Sequence, residues 1–129
     1  MKTSSDQATA GIHKTLGIYA AGLRDGSVAQ LKRAFRPQAL VSGYIGEEKF
    51  VKPVAFLYAF VRKNKAAVKK SPPPAPEVRA ITISGNTAVV TLLEKAYLGD
   101  DYTTFLQLMQ MGSRWWIVSK LFNGTPAKP

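Results

Sequence analysis

Few side chains in this sequence could carry acid–base chemistry. Proton transfer at a bound substrate needs a carboxylate or an imidazole that is held in a pocket. Glu94 is the only acid inside a predicted strand, whereas Asp100 and Asp101 lie in a predicted turn, where aspartate is expected for backbone reasons. The sequence therefore identifies no catalytic residue, and Glu94, with Tyr19, is only a weak candidate.

The single histidine, His13, follows Ile12 on a predicted helix and lies off the centre of its apolar stripe. A zinc site needs several ligands at suitable spacing, and a His–Asp dyad needs a defined acid partner. His13 has neither further metal ligands at suitable spacing nor a defined acid partner, and the chain contains no cysteine. We therefore expect a surface histidine, no metal and no cofactor.

The chain is strongly basic, with a net charge of +10 from 18 Lys and Arg against 8 Asp and Glu. Its densest basic stretch, "RKNKAAVKK" at residues 62–70, runs into "SPPPAP". The stretch has no aromatic residue between its charges and no glycine-rich loop, so neither base stacking nor a shaped anion site is indicated. We predict a solvated helix end followed by an extended, proline-rich connector, with nucleic-acid binding as the less favoured alternative.

Length and composition indicate one folded domain. The chain has 129 residues, of which 46% are hydrophobic and 20% charged, and this suits one modest core. We assign a single domain to residues 1–129, with its core at 6–123, the connector at 68–76 and a tail at 124–129. No apolar run approaches the roughly 20 residues that cross a bilayer, so we expect no membrane partner. Residues 1–11 lack the apolar segment of a secretory signal. We expect a cytoplasmic protein, or a mature exported form whose signal is absent from this chain.

The first half of the sequence has the apolar spacing of helices. A stripe within residues 5–24 predicts one long amphipathic helix, and its members are Ile12, Leu16, Tyr19 and Leu23. Residues 27–35 predict a second, short helix with Phe35 on its buried side, which Pro37 ends. A short hairpin around Gly46 and a third amphipathic helix follow.

After the prolines the composition becomes that of strands. Four strand-like stretches are separated by turns that each contain a glycine, at Gly85-Asn86, Gly99-Asp100 and Gly112-Ser113. Helices followed by an antiparallel meander predict an α+β fold.

Trp115 and Trp116 are adjacent, so in a strand their side chains must lie on opposite faces. A two-residue turn at Gly112-Ser113 would pair Met111 with Arg114 and fix the register. One face then carries Leu106, Leu108, Trp115, Ile117 and Leu121. The other carries Phe105, Met109, Trp116, Val118 and Phe122. Because the helices can cover only one face, we predict that the second group forms a homodimer interface. A β-bulge would change this register.

The order of these elements also resembles a known family. The stretches "IYAAGLRDGSVAQLKRAFRPQALVSGYIG" and "YLGDDYTTFLQLMQMGSRWWIVSKLF" are similar to the nuclear transport factor 2-like superfamily and, within it, to the SnoaL-like, lumazine-binding group. The resemblance covers residues 8–122. It implies a cystatin-like cone, in which N-terminal helices pack on a strongly curved, mixed and mainly antiparallel sheet. It also implies a small-molecule cavity and a homodimer, and it assigns Trp115 to the core and Trp116 to the partner.

The superfamily includes ketosteroid isomerases, polyketide cyclases and dehydratases. Tyr19 falls where the isomerases place the tyrosine that hydrogen-bonds the developing enolate. Their general-base aspartate would fall at or beside Gly43, and neither Ser42 nor Tyr44 can take a proton from carbon near neutral pH. An aspartate that many lumazine-binding relatives carry is replaced here by Thr104. The base that the resemblance implies is therefore missing.

These observations favour a protein that binds a small organic ligand in an apolar cavity, without a recognisable catalytic base. The predicted ligand contacts are Tyr19, Tyr44, Lys95, Tyr97, Tyr102, Thr104 and Trp115. Lys95 would lie opposite Thr104 and favour an anionic ligand if it pointed inward, or be a surface lysine otherwise. Tyr19 is also typical of a core position.

Two alternatives remain open at the level of the sequence. The first is an enzyme of the cyclase, isomerase or dehydratase type that uses Tyr19 as a hydrogen-bond donor and Glu94 as its base. The second is a basic interaction protein that binds nucleic acid through residues 62–70.

Overall fold

The computed structural model of the protein describes residues 4–128. Within this range the chain forms four helices and six strands. The helices are α1 (Ser4–Asp25), α2 (Val28–Leu31), α3 (Val54–Lys63) and α4 (Lys65–Lys70). The strands are β1 (Phe35–Ile45), β2 (Glu48–Pro53), β3 (Glu77–Ser84), β4 (Thr87–Tyr97), β5 (Asp100–Met111) and β6 (Arg114–Pro126).

The six strands form one sheet in the order β2-β1-β6-β5-β4-β3. All neighbouring strands are antiparallel except β1 and β6, which run parallel. The helices pack on one face of this curved sheet. The predicted α+β class, with helices on a mixed and mainly antiparallel sheet, is confirmed.

The apolar stripe of α1 packs against β6 and forms the centre of the core. Its four predicted members are all buried. Gly11 lets the helix approach closely, because a Cβ there would come within 2.8 Å of the Trp115 ring. The Thr15 hydroxyl donates a 2.6 Å hydrogen bond to the Trp115 carbonyl. Trp115 is therefore a core residue, 2% exposed.

The predicted extension of the second helix to Phe35 is wrong. The helix α2 ends at Leu31, and Phe35 already begins β1. The chain joins the sheet here because the Ile117 amide donates to the Ala34 carbonyl. Pro37 does not end a helix; it lies in β1, where the pairing with β6 is interrupted and its missing N–H costs no ladder hydrogen bond.

A β-bulge in β6 alters the face assignment that alternation predicts. Gln107 pairs with Ser119 but Leu108 pairs with Ile117, so Val118 is the extra residue. Beyond this bulge, the residues of β6 that strict alternation assigns to the inner face lie on the outer face, and the reverse. Leu121 is therefore half exposed on the outer face, and Phe122 turns to the inner face. The predictions for these two residues are wrong.

Trp116 lies on the outer face and is partly covered by the chain's own arginines. The Arg114 guanidinium lies 4.1 Å from the centroid of the indole ring, and that of Arg36 lies 5.4 Å away. These cation–π contacts leave the indole half-buried. Phe105 and Met109, which the sequence also assigns to this face, are both partly exposed.

The basic stretch forms the end of α3 and the short helix α4, and residues 71–76 then run without regular structure to β3. The side chains of Lys63, Lys65, Lys69 and Lys70 are exposed. Among the helices described, none combines the length and apolar character needed to cross a membrane.

Candidate functional site

A cavity of about 70 Å³ lies between the inner face of the sheet and the helices α1 and α3. Its wall is largely apolar and includes aromatic rings from β2, α3 and β6. Four side chains with polar atoms interrupt this wall, and they are Glu94, Tyr97, Tyr102 and Lys120. A mainly apolar wall with a few polar groups is typical of a small-molecule site.

Glu94 lies on β4 and is buried, with 8% of its surface exposed. Its Oε2 accepts a 2.9 Å hydrogen bond from the Tyr19 hydroxyl. Its Oε1 accepts a hydrogen bond from the Thr104 hydroxyl on the neighbouring strand. Because each carboxylate oxygen has more than one acceptor site, the two bonds fix the orientation of the group and leave acceptor capacity for another proton or donor.

Tyr19 supports this carboxylate from α1. The residue is fully buried, and its ring meets that of Phe35 edge to face at 5.9 Å. Burial raises the pKa of Tyr19 well above its usual value, and the charge of Glu94 raises it further. The hydroxyl therefore stays protonated at neutral pH and serves as a donor. Its hydrogen is directed to Glu94, and the side chain does not line the cavity.

Lys120, on β6, is the second charged group of the cavity. It is 9% exposed, and its Nζ lies 5.2 Å from the Tyr19 ring centroid and 5.8 Å from that of Phe122. Burial lowers the pKa of Lys120, while the negative charge of Glu94 acts in the opposite direction. No carboxylate within residues 4–128 forms an ion pair with Lys120.

Lys120 is not among the site residues predicted from the sequence. Strict alternation from Trp115 places it on the outer face, away from the helices and the cavity. The bulge at Val118 turns it inward. The sequence feature that could have indicated Lys120 is its position as a lone lysine within the mainly apolar stretch "WWIVSKLF".

Tyr97 and Tyr102 form an aromatic pair at the cavity. Their ring centroids are 6.3 Å apart, and that of Tyr102 lies 6.0 Å from Phe122. The Tyr97 hydroxyl is buried and has no hydrogen-bond partner within the described residues. Burial raises the pKa of Tyr97 to about 12, with Glu94 adding to the effect. Burial and the charge of Asp100 also raise the pKa of Tyr102.

The hairpin between β4 and β5 differs from the predicted register. Thr104 pairs with Leu92, and the prediction that it lies opposite Lys95 is wrong. Lys95 and Ala96 form a bulge, in which Ala96 has a positive φ and its amide donates to Asp101 at 2.8 Å. Lys95 is exposed, and its Nζ lies 3.5 Å from the Asp101 carboxylate.

The predicted ligand contacts fall into three groups. Tyr97 and Tyr102 line the cavity. Tyr19 and Thr104 do not line it but donate hydrogen bonds to Glu94. The remaining three lie elsewhere, with Tyr44 exposed on the outer face, Lys95 at the surface and Trp115 in the core beside α1.

A second cleft reaches Glu94 from the side of the proline connector. It is bordered by Pro73, Pro74 and Pro76 and by the side chains of Arg24 and Lys95. Glu94, together with Leu23 and Tyr97, borders both the cleft and the cavity. Glu94 thus lies between the cleft and the cavity.

His13 is exposed on α1. No three of the His, Cys, Asp and Glu side chains in residues 4–128 come together as a metal-binding cluster.

The sequence matches the family described as "Putative lumazine-binding" over residues 7–123. The chain belongs to this family. The match begins within α1, ends within β6 and includes the other helices and strands in full.

Several solved structures share the fold of this member of the lumazine-binding family. An NTF-2-like protein of unknown function from Silicibacter pomeroyi superposes with a TM-score of 0.85 at 17% identity, covering 95% of this chain and 99% of that one. Another, from Methylobacillus flagellatus, gives a TM-score of 0.82 at 22% identity, with 95% of both chains covered. The nuclear transport factor 2-like fold is confirmed.

Among curated proteins, one named Aldolase FrzH, from Cladobotryum sp, is 27% identical over 113 residues. The alignment covers 87% of each chain.

In this member of the lumazine-binding family, Gly43 has no room for a side chain. A Cβ at this position would collide with the backbone carbonyl of Phe122 on β6. The close contact of the two parallel strands therefore requires glycine, and the position where the resemblance implies a catalytic aspartate is closed. Among the described residues, the carboxylate that lines the cavity is Glu94, which lies on another strand.

Proposed function

We propose that the protein binds a small carbonyl compound in the cavity and catalyses proton transfer at the carbon beside the carbonyl, with Glu94 as the general base. The observation that carries this proposal is a buried carboxylate in a mainly apolar wall, held by the hydroxyls of Tyr19 and Thr104.

The geometry of Glu94 suits the role of a base. Efficient proton transfer needs a group of fixed orientation within reach of the substrate, and two hydroxyl donors supply that orientation here. An apolar wall strengthens electrostatic interactions inside the cavity because less water screens them. A carboxylate in such surroundings is a typical arrangement for removing a proton from carbon.

The enolate that results needs donors for its oxygen. Two groups that line the same cavity can supply them, namely Nζ of Lys120 and the hydroxyl of Tyr97, which has no partner within the described residues. The surrounding rings of Phe50, Phe56 and Phe122 favour a compact, largely hydrophobic compound.

The name of the relative called an aldolase agrees with this chemistry. Aldol reactions make or break a carbon–carbon bond next to a carbonyl, and they proceed through an enolate or enamine, which removal of an α-proton creates in the bond-forming direction. We extend only this reaction type to the present chain, as part of the proposal.

Ligand binding without catalysis is the second candidate. It is favoured by Gly43, where the β6 backbone closes the position of the expected base. The two candidates differ in whether a bound ketone exchanges its α-protons.

The test is deuterium exchange of cyclohexanone and acetophenone in heavy water, followed by NMR, with binding followed by saturation-transfer difference on the same samples. We expect exchange faster than in buffer, and we expect Glu94→Gln to abolish the acceleration while binding persists. The matched control is Glu48→Gln, on an exposed part of β2, which should exchange like the wild type. Binding with no accelerated exchange would overturn the catalytic proposal in favour of binding alone.

A further inference from the structure

We propose that Lys120 is a covalent site for aldehydes and ketones, at which its ε-amine forms an iminium with a compound bound in the cavity. This inference rests on the proposed function only in assuming that the cavity admits carbonyl compounds.

Three observations define the surroundings of Lys120. Its side chain is nine-tenths buried, whereas those of the basic stretch are exposed. Its Nζ lies near two aromatic rings, those of Tyr19 and Phe122, at the inner face of the sheet. It forms no ion pair within residues 4–128, unlike Lys95, which is exposed and paired with Asp101.

An amine must be neutral to attack a carbonyl, and the surroundings of Lys120 favour the neutral form. Burial in apolar surroundings lowers the pKa of an ammonium, and lysines that form Schiff bases are commonly activated in this way. For Lys120 burial is the largest influence on the pKa and lowers it, although the nearby negative charge of Glu94 raises it. The other titratable groups of the cavity, Tyr97 and Tyr102, have raised pKa values and stay neutral near pH 7.

The reaction balances without any oxidant or reductant. The lone pair of the neutral amine forms a bond to the carbonyl carbon, and the carbonyl oxygen takes up a proton to give a carbinolamine. The nitrogen releases one proton, the hydroxyl takes up a proton and leaves as water, and a protonated C=N bond remains. In sum, one amine, one carbonyl compound and one proton give one iminium and one water.

Glu94 lines the same cavity as Lys120 and is the acid–base group that could carry these protons. The iminium withdraws electrons from the neighbouring carbon and makes its C–H bond more acidic. Glu94 can then remove that proton to form an enamine. Hydrolysis by water reverses the bond formation and restores the free lysine.

The experiment uses pentane-2,4-dione, whose condensation with an amine gives an enaminone that absorbs in the near ultraviolet and needs no reducing agent. A parallel sample receives cyclohexanone and cyanoborohydride, which converts an iminium into a stable amine. Intact mass and peptide mapping then locate the adduct. We expect one adduct per chain at Lys120, formed faster than at any exposed lysine, because a lowered pKa leaves a larger fraction of the amine neutral at a given pH.

Two variants test the assignment, and both are first checked for folding by circular dichroism. Lys120→Met keeps an unbranched apolar chain, and Lys120→Arg keeps a positive charge without a primary amine. Neither should form the adduct, whereas Lys95→Met should form it at the wild-type rate. Modification spread evenly over surface lysines, or an adduct that survives in Lys120→Arg, would overturn the proposal.

Failure of this inference can be told from failure of the proposed function. If cyclohexanone exchange depends on Glu94 and persists at a lower rate in Lys120→Met, which loses one enolate donor, and no adduct forms on the wild type, proton transfer is upheld and the covalent site is refuted. If the adduct forms at Lys120 but no exchange is accelerated, the covalent site is upheld and the catalytic proposal is refuted.

Discussion

The Tyr19 hydroxyl donates a 2.9 Å hydrogen bond to Oε2 of Glu94, joining the first helix to the fourth strand across 75 positions of sequence. Both side chains are buried. The bond is therefore a structural link between α1 and the sheet, and it also orients the carboxylate at the cavity. Changes to either residue should affect stability and chemistry together.

Replacing Tyr19 by phenylalanine should destabilise the protein. The ring and its contact with Phe35 are retained, but the buried carboxylate of Glu94 loses one of its two donors. Hydrogen bonds to charged groups contribute about 1.5–3 kcal/mol, and we expect a loss of that size in the free energy of unfolding, measured by urea denaturation. Tyr44→Phe, which removes an exposed hydroxyl on the outer face, is the matched control and should change stability by less than about 0.5 kcal/mol. Equal stabilities of the two variants would contradict the role given to this bond.

Gly43→Ala should be severely destabilising. The new methyl group would occupy the space of the Phe122 carbonyl, which is backbone and cannot move without disturbing the pairing of β1 with β6. We expect a loss of about 3 kcal/mol or more in the free energy of unfolding, in the upper range for single substitutions.

Gly17→Ala is the control for this substitution, because nothing lies within 4 Å of its Cβ position on α1. Alanine in a helix interior is favoured over glycine by roughly 0.5–1 kcal/mol. A thermal melt should therefore show a slightly higher Tm for Gly17→Ala and a much lower one for Gly43→Ala. Similar melting temperatures for the two variants would show that the β6 backbone can shift to make room for the methyl group.

Stability should rise with pH because of Lys120. Burial lowers its pKa in the folded protein below the value of 10.5 that applies to the unfolded chain, against the opposing charge of Glu94. Below the folded pKa both states are protonated, and the cost of burying the ammonium is fully present. Between the two pKa values the unfolded state binds more protons, so the free energy of unfolding increases with pH.

The measurement compares the wild type with Lys120→Met by urea denaturation from pH 7 to about pH 9.5, below the ionisation of unfolded tyrosines near pH 10. The range stops there because three tyrosines of the same site have raised pKa values, namely Tyr19, Tyr97 and Tyr102. At higher pH their ionisation in the unfolded chain lowers the free energy of unfolding, which opposes the effect of Lys120. The wild type should gain stability relative to Lys120→Met as the pH rises. A difference between them that stays constant over this range would contradict a lowered pKa.

The local features of this fold could be predicted from the sequence. The apolar spacing on α1 follows from the helical period, and the Gly112-Ser113 turn pairs Met111 with Arg114 as predicted. The turn of the β4–β5 hairpin lies one residue earlier than predicted, because Tyr97 pairs with Asp100. The first two signals depend only on neighbouring residues, and backbone geometry is enough to interpret them.

The candidate site could be predicted only in part, because its geometry depends on irregular pairing and on distant contacts. Glu94 stood out as an acid within a strand, but its hydrogen bonds to Tyr19 and Thr104 come from elements that only the tertiary fold brings together. Lys120 and Phe122 reach the cavity because of the bulge at Val118. Simple alternation gives no sign of where such an extra residue is accommodated.

The outer face of the sheet leads to a prediction about self-association. Phe105 and Leu121 are directly opposite each other on β5 and β6, and they are 39% and 50% exposed. Other exposed apolar side chains on strands of the sheet include Leu40, Val89 and Met109. Since contiguous exposed apolar patches commonly mark interfaces, we propose that two copies of the chain pack through this face.

Sedimentation velocity at micromolar concentration should therefore give a dimer for the wild type. Leu121→Glu should give a monomer, because a carboxylate at the centre of the interface would have to be buried without a partner. Ala59→Glu, on the exposed side of α3, introduces the same charge away from the sheet and should remain dimeric. Trp116→Glu is a weaker test, since the indole is already partly covered by Arg114 within its own chain. A monomeric wild type, or a Leu121→Glu variant that stays dimeric, would show that this face is not the interface.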